Sequence, residues 1–486
     1  MSYNNLNNKI LSATKWSALT EIMSKLITPI TSMVLARLLT PEAYGVVATF
    51  SIIIAFADIF ADAGFQKYLI QCEITDTDEK DKYVNVAFWS NMLLSIVLWG
   101  IIIVFSQQLA SLVGSPGLGN VLVVSCAGIP LNAFSSIQMA LLKREFDFKT
   151  LFWRRIVSIL VPILITIPLA VYLRSYWALV LGNLAVNFAN AFFLIIKSNW
   201  KPHFYFKFSI LKEMFSFCSW SFVDSILVWA TVYADIFVIS RLLDSYYLGL
   251  YRTSISIVGQ IVSLITATVL PVILPSLARL QDNIPEMRRI LLKFQKVTGL
   301  VIIPVGVGIF VFRDFITNVL LGSQWVETSD FIGLWGLMEA FTIIFARFCS
   351  PVFPAIGKPR VSVIVQLSHV VVLLPAVIFA GSFGYEALYI TRSLIRIELV
   401  IVNMIAVYVL IKQSPWRMIY NILPQLISAS IMGIFGYMLL QISKSTIISF
   451  LWIFICVIVY FVSLYLIFPS DREFIKENIS RILRQR

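Results

Sequence analysis

Apolar runs long enough to cross a lipid bilayer recur along the whole of this 486-residue chain. A transmembrane helix needs about 20 consecutive, mainly apolar residues, and the connections between these runs are short. Hydrophobic residues make up 59% of the chain and charged residues 13%, whereas a soluble domain carries about 25% charged residues. The sequence therefore predicts an all-α integral membrane protein without a sizeable soluble domain.

Fourteen apolar runs can be distinguished, and each is predicted to form one transmembrane helix. The predicted spans cover residues 14–38, 45–69, 83–106, 118–141, 150–172, 175–197, 214–241, 246–275, 290–312, 328–347, 359–382, 384–411, 417–441 and 446–468.

The lysines and arginines of the connections set the predicted orientation, because cytoplasmic connections carry an excess of both. One alternating set of connections, together with the termini, holds 27 of them, including Arg347, Lys358 and Arg360. The other set holds 5, and the remaining six of the 38 lie inside spans. Both termini are therefore predicted to be cytoplasmic, and the net charge of +12 gives no reason to expect nucleic acid binding. No outer connection exceeds 17 residues, which is too short for a catalytic domain, so we do not expect an enzyme.

A short segment occurs twice in the chain, 204 residues apart. Residues 34–53 read "VLARLLTPEAYGVVATFSII" and residues 238–257 read "VISRLLDSYYLGLYRTSISI", with seven of the twenty positions identical. Each copy covers the end of one predicted span, the outer turn and the start of the next span. Because the copies lie six spans apart, spans 1–6 and 7–12 are predicted to form two parallel lobes related by an axis along the membrane normal.

The predicted organisation has four parts. They are an N-terminal lobe at 1–200, a C-terminal lobe at 201–413, two accessory spans at 414–468 and a cytoplasmic tail at 469–486. The tail places Phe474, Ile475, Ile479 and Leu483 on one helical face, with basic residues elsewhere. This pattern is typical of an amphipathic helix at a membrane interface.

Charged side chains inside the predicted spans are the candidate functional residues, since such charge is costly unless it is paired or faces water. Span 1 carries Glu21 and Lys25, and span 2 carries Asp58 and Asp62. Counted from the outer turn, Lys25 lies as deep as Asp58, and Glu21 lies as deep as Asp62. In an antiparallel hairpin these equal depths allow two ion pairs between the helices.

The second predicted lobe has a similar arrangement with other residues. Span 7 carries Asp224 and Asp235, span 8 Arg252, span 10 Glu339, and span 12 Arg392 and Arg396. We predict a cationic, substrate-binding cavity between the lobes, lined by Lys25, Arg252, Arg392 and Arg396. The residues predicted to titrate or to bind a coupling ion are Glu21, Asp58, Asp62, Asp224, Asp235 and Glu339. The alternative is that such charges form structural pairs, which is the interpretation favoured for Arg154, Arg155 and Glu398, and His369 is expected to pack between helices.

No metal or cofactor is predicted, apart from a coupling proton or sodium ion. The five cysteines occur singly, without the CxxC or Cys/His spacing of a metal site. The acidic segment "CEITDTDEKDKY" lacks the turn glycine and the closing glutamate of a calcium-binding loop.

Four segments resemble the bacterial polysaccharide flippases of the multidrug/oligosaccharidyl-lipid/polysaccharide exporter superfamily. They read "KWSALTEIMSK", "VLARLLTPEAYGVVATFSIIIAFADIFADAGFQKYLIQ", "LLGSQW" and "AIGKPR". The second is typical of the O-antigen, capsule and exopolysaccharide branch. The resemblance implies a V-shaped plasma-membrane transporter in which two six-helix lobes alternate around a cationic cavity.

The resemblance also implies a substrate, an undecaprenyl-diphosphate-linked oligosaccharide moved from the cytoplasmic to the outer leaflet for cell-surface polysaccharide or lipopolysaccharide synthesis. Lys25 lies where related lipid flippases carry essential cations, usually arginines. Expected partners are the lipid-linked substrate, membrane lipids and the polysaccharide polymerase and export machinery, and we expect a monomer. Two alternatives stay open, namely a cation-coupled exporter of small molecules from the same superfamily and a membrane polymerase or glycosyltransferase.

Overall fold

The computed structural model describes residues 3–62, 64–71, 77–198, 200–358, 360–443 and 445–468, which form helices and contain no strand. The helices are α1 (Tyr3–Leu38), α2 (Pro41–Asp62), α3 (Phe65–Gln71), α4 (Thr77–Val104), α5 (Ser106–Leu112), α6 (Gly119–Cys126), α7 (Gly128–Arg144), α8 (Phe148–Val161), α9 (Ile167–Leu173), α10 (Tyr176–Lys197), α11 (Phe208–Leu242), α12 (Ser245–Ala278), α13 (Ile284–Val311), α14 (Arg313–Leu320), α15 (Ser329–Thr342), α16 (Val352–Ala355), α17 (Arg360–Gly381), α18 (Tyr385–Leu394), α19 (Arg396–Ile411), α20 (Pro415–Ile442) and α21 (Thr446–Ile467). Two π-helical segments, Pro162–Thr166 and Ile343–Arg347, and the 3-10 segment Ser323–Thr328 connect some of them. The predicted all-α class is confirmed.

Thirteen helical stretches among the described residues are long and apolar enough to cross a membrane, and they correspond to thirteen of the fourteen predicted spans. The other predicted span, 214–241, lies within α11, a helix of 35 residues. The prediction of about fourteen transmembrane helices is thus confirmed, and the chain is a multi-pass membrane protein. The tail at 469–486 lies outside the described residues.

The predicted end of span 2 was wrong. The prediction extended the span to residue 69, whereas α2 ends at Asp62 and α3 begins at Phe65. Gly64 between them has a φ of 84°, a left-handed conformation that glycine adopts readily and that ends an α-helix. Hydropathy did not reveal this break, because a single glycine does not interrupt a mainly apolar segment.

The described residues form two compact units that divide between Arg252 and Thr253. In the first unit, α11 packs against α2, α3 and α4. Tyr68 and Tyr83 each donate a hydrogen bond to the carboxylate of Glu213, at 3.0 and 2.8 Å, which ties the start of α11 to α3 and α4. The predicted lobe boundary at residue 200 rests on the sequence repeat, not on compactness, and stays a prediction.

The second unit is built around the stretch Ser323–Ala355, which contains α15. In the most apolar part of this stretch 72% of the residues are buried, against 11% to 50% in the other candidate spans. α15 packs against α13, α18 and α19, while α17 packs against α18 and α19. A side chain on α15 is therefore surrounded by three other helices, which makes this helix the centre of the unit.

The two copies of the repeated segment contact each other within the first unit. A Cβ atom built on Gly45 would lie 1.7 Å from the carbonyl oxygen of Ser245, and one built on Gly249 would lie 1.8 Å from the carbonyl oxygen of Pro41. Positions 245 and 249 correspond to 41 and 45 after the shift of 204 residues. The same backbone contact is thus made twice, and the starts of α2 and α12 are related locally by a pseudo-two-fold axis.

Candidate functional site

A buried carboxylate in the second unit binds two arginines from different segments. Glu339 lies on α15 and is 3% exposed. It accepts a hydrogen bond from Arg347 Nη2 at 2.6 Å and a second one from Arg396 Nη1. Glu339 is the middle residue of the candidate span Ser323–Ala355, and Arg396 lies near the middle of the span Tyr385–Ile411. The ion pairs therefore lie deep within two spans, where a charge needs a partner or water.

An aromatic ring completes this site. Trp335 precedes Glu339 by one helical turn and is 2% exposed. The guanidinium carbon of Arg396 lies 3.6 Å from the centre of the Trp335 ring, and that of Arg392 lies 4.9 Å from it. We call the five residues Trp335, Glu339, Arg347, Arg392 and Arg396 the Glu339 cluster.

Local helix geometry explains how Arg347 reaches Glu339. An α-helix turns about 100° per residue, so position 347 would lie about 80° around the helix from position 339. The π-helical segment Ile343–Arg347 winds more residues into one turn, and this brings Arg347 onto the face of Glu339. Such π-bulges are frequent at functional sites.

The Glu339 cluster contains three arginines and one glutamate, and two of the arginines, Arg347 and Arg396, pair with Glu339. The side chain of Glu339 is 4% exposed and that of Arg396 13%, whereas that of Arg347 is 48% exposed. The carboxylate uses only some of the five N–H donors of each guanidinium. Arg347 is the member of the cluster that is most open to its surroundings, and its guanidinium can donate to an anion as well as to Glu339.

A second pair of titratable residues joins α19, the helix of Arg396, to α17. His369 Nδ1 on α17 lies 2.8 Å from Glu398 Oε2 on α19, and their side chains are 6% and 22% exposed. Glu398 was predicted to form a structural pair and His369 to pack between helices. The contact shows that these two residues are partners and that they join α17 to α19.

Replacing His369 with leucine is expected to destabilise the folded protein by about 1–3 kcal/mol, because the partly buried Glu398 would lose its imidazole partner. Replacing both residues, with His369→Leu and Glu398→Leu, is expected to recover most of this loss, since no buried carboxylate then stays behind. Thermal unfolding in detergent measures both changes. A double variant that melts no higher than the single variant would contradict this account of the pair.

Lys25 and Asp58, for which equal depth allows an ion pair between α1 and α2, each contact another residue. Lys25 pairs with Glu21 of its own helix, with 3.6 Å between Nζ and Oε2. Asp58 accepts a hydrogen bond from Asn132 Nδ2 at 3.4 Å. The physical reason is that α1 packs mainly against α8 and α9, so equal depth in the membrane does not make these helices neighbours.

The other predicted residues of the first unit have local surroundings of their own. Asp62 is the last residue of α2. Asp235 accepts a hydrogen bond from the Tyr251 hydroxyl at 2.7 Å. Arg252 is partly exposed and is the last residue of the first unit. Asp224 belongs to α11, but its side chain lies outside the described residues. Arg155 donates to Ser24 Oγ at 2.6 Å, a hydrogen bond that joins α8 to α1.

Of the predicted residues, Glu339, Arg392 and Arg396 come together in the Glu339 cluster. Sequence reasoning missed Arg347 and Trp335. The charge distribution assigned Arg347 to a cytoplasmic connection, and a tryptophan in an apolar span is usually a packing residue. The available signal was the spacing of Trp335 and Glu339, which are four residues apart and thus share a helical face.

Comparison with known proteins identifies the family. The family described as polysaccharide biosynthesis protein matches residues 34–330, more than half of the chain. The chain belongs to this family. The resemblance to the polysaccharide flippases of the exporter superfamily, stated above from the sequence, is thereby confirmed.

Members of related biosynthetic systems are similar to the chain along most of its length. It is 25% identical over 350 residues to the succinoglycan biosynthesis transport protein ExoT of Rhizobium meliloti (strain 1021), covering 71% of this chain and 69% of that protein. It is 20% identical over 446 residues to the lipopolysaccharide biosynthesis protein WzxC of Escherichia coli (strain K12), covering 88% of each. The similarity to these proteins thus extends beyond residues 34–330.

The fold is shared with a solved flippase. The structure of the lipid II flippase MurJ in an inward closed conformation aligns with a TM-score of 0.76 and 16% sequence identity, and covers 94% of this chain and 99% of that one. At this identity the likeness establishes the fold alone. This fold agrees with the predicted all-α membrane protein of about fourteen transmembrane helices.

Proposed function

We propose that this protein moves an undecaprenyl-diphosphate-linked oligosaccharide from the inner to the outer leaflet of the bacterial plasma membrane, for the synthesis of cell-surface polysaccharide. The observation that carries the proposal is the Glu339 cluster, in which Glu339 pairs with Arg347 and Arg396 in the middle of two spans and Arg392 lies against the Trp335 ring. The roles for which ExoT and WzxC are named, in succinoglycan transport and lipopolysaccharide biosynthesis, support the same class of substrate.

The chemistry of the headgroup fits the charge of the cluster. Three arginines and Glu339 leave an excess of two positive charges, and a diphosphate esterified at both ends carries two negative charges. Guanidinium groups bind phosphate oxygens through paired N–H donors. Glu339 compensates the arginines in the absence of substrate, and the entering diphosphate binds to the donors that the carboxylate leaves available.

Transport of this kind requires no covalent step. In the proposed cycle the diphosphate binds the arginines, the glycan occupies a polar cavity and the polyprenyl tail stays in the bilayer. The cavity opens alternately to the two sides, with both termini in the cytoplasm. A proton or sodium gradient is proposed to drive the cycle through the intramembrane acids, and the product passes to the polysaccharide polymerase and export machinery.

The test uses purified protein in liposomes that contain a fluorescent undecaprenyl-diphosphate oligosaccharide. We expect the labelled lipid to reach the opposite leaflet at a rate that depends on an imposed proton or sodium gradient, which would also identify the driving ion. Arg289→Ala is a matched control, since Arg289 is 74% exposed and pairs with Glu286 outside the cluster. Gradient-driven efflux of a cationic dye without lipid movement would favour a small-molecule exporter, and glycosyl transfer by the purified protein would favour an enzyme.

A further inference from the structure

The pair of His369 and Glu398 lies in the interior of the second unit. Glu398 is the middle residue of the span Tyr385–Ile411, and His369 lies near the middle of the span Arg360–Gly381. His369 Nδ1 lies 2.8 Å from Glu398 Oε2, with the imidazole buried and the carboxylate mostly so. Both partners are far from the ends of their spans, so their contact with water depends on how the surrounding helices are arranged.

An imidazole distinguishes this pair from the Glu339 cluster. Glu339 pairs with Arg347 and Arg396, and arginine keeps its proton at every physiological pH. Histidine is the side chain that ordinarily gains and loses its proton between about pH 5 and 8. The other histidine of the chain, His203, lies 2.9 Å from Asp81, but their side chains are 56% and 37% exposed. His369 is therefore the histidine that can carry a proton inside the membrane.

The charges around the pair are fixed near neutral pH. The elements packed against α17 and α19 are α15, α16, α18, α20 and the π-helical segment before α16. The charged groups that α15, α18, α19 and this segment place in the interior all belong to the Glu339 cluster: Glu339, Arg347, Arg392 and Arg396. The others, Asp330, Arg360, Glu386 and Arg417, lie in the first turns of their helices, and tyrosines ionise only near about pH 10. A change of charge near neutral pH in this interior is thus expected at the pair.

A proton changes the net charge of the pair. With a proton on the imidazole the pair has no net charge, and without it the carboxylate leaves one negative charge. A net charge inside a span is costly unless it is paired or faces water. The proton is therefore expected to leave only in a conformation that opens the pair to water, which links proton release to the arrangement of the helices.

The helical turn that carries Glu398 also carries Arg396. The span that contains both is interrupted at Ile395, between α18 and α19, and both residues lie in the first turn of α19. Substrate and ion sites of several transporter folds are formed by interrupted helices of this kind. A movement of this turn shifts the contacts of both residues together, so a change at the pair can be transmitted to the Glu339 cluster.

We propose that His369 and Glu398 form the proton-binding site through which a proton gradient drives transport. This inference rests on the proposed function and names the driving ion and the residues that bind it. The proton passes from water to the imidazole while the pair is open to one side of the membrane. It returns from the imidazole to water when the pair is open to the other side, so the step needs no other reactant.

The experiment measures movement of the fluorescent lipid-linked oligosaccharide in proteoliposomes with a proton gradient, a sodium gradient or neither. We expect the proton gradient to raise the wild-type rate about fivefold or more, and the sodium gradient to leave it unchanged. His369→Gln keeps a polar side chain but no group that titrates, and is expected to bring the ratio of the rates with and without the proton gradient close to one. A pH-sensitive dye inside the liposomes is expected to report proton movement with the wild type and none with this variant.

Three further variants serve as controls. The double variant with His369→Leu and Glu398→Leu, which is expected to recover stability, should also show no response to the proton gradient. His203→Gln removes the other imidazole–carboxylate pair of the chain, and is expected to keep the wild-type response. Asn403→Leu changes a buried polar residue on α19 that donates to the Leu399 carbonyl, and is also expected to keep it.

The outcomes separate the two proposals. If the wild type moves the lipid but responds to the sodium gradient alone or to neither gradient, the proton site is wrong and the proposed function stands. The same holds if the folded double variant keeps the response to the proton gradient. If Asn403→Leu loses the response as His369→Gln does, the effect is one of helix packing and the proton site is again wrong. If the wild type moves no lipid-linked oligosaccharide, the proposed function itself is overturned, and this inference with it.

Discussion

Replacing Arg396 with alanine is expected to lower the rate of lipid-linked oligosaccharide transport at least 100-fold. The guanidinium of Arg396 contacts both Glu339 and Trp335, so its removal takes a phosphate ligand from the site and a partner from a buried carboxylate. Arg396→Lys is expected to keep part of the activity, because the ammonium group preserves the charge but lacks the fork that binds two phosphate oxygens. Transport in proteoliposomes, with the amount of folded protein measured in parallel, gives the rate per molecule.

A second variant separates transport from folding. Arg396→Ala alone is expected to destabilise the protein by about 2 kcal/mol, since the buried Glu339 loses one of its two arginine partners and keeps Arg347. The double variant with Glu339→Gln removes the half-compensated carboxylate, and Arg347 is exposed enough to be solvated, so this variant is expected to recover stability without recovering transport. If the double variant transported at the wild-type rate, or Arg396→Ala did so while folded, the assignment of Arg396 to the substrate site would be wrong.

Replacing Gly45 with leucine is expected to cause the largest loss of stability among the substitutions considered. Its Cβ would lie 1.7 Å from the carbonyl oxygen of Ser245, and a backbone oxygen cannot move aside as the end of a side chain can. Overpacking in a core costs about 1–3 kcal/mol, occasionally more, and we expect a loss of more than about 3 kcal/mol here, because the clash is with the backbone. Thermal unfolding in detergent measures the change, and a wild-type melting temperature for Gly45→Leu would contradict the close backbone contact.

The second half of the contact provides an internal comparison. Gly249→Leu is expected to cost about as much as Gly45→Leu, and the double variant less than the sum, because both changes disrupt one shared contact. Gly259→Ala is the matched control, since it lies on the same helix as Gly249 and a Cβ there would meet no atom within 4 Å. That change is expected to be neutral or slightly stabilising, because alanine favours helix more than glycine does.

The sequence was sufficient to predict the class of fold, because the length of an apolar run is a direct consequence of bilayer thickness. Glu339, Arg392 and Arg396 could be identified for a similar reason, since charge within an apolar span is conspicuous. Arg347 could not, because it reaches Glu339 through a π-helical turn that hydropathy does not reveal. The contact of Lys25 with Glu21 of its own helix could not be derived from depth in the membrane, since depth does not determine which helix lies alongside.

The contact between the two repeated segments has the form of an interface between identical molecules. Each side presents the same glycine to the same carbonyl position of the other, as in a two-fold symmetric dimer. Within one chain such an interface does not depend on protein concentration, and the segments cannot separate by dilution. Each side can also change independently of the other, which is why one copy has Pro41 where the other has Ser245, while both glycines are retained.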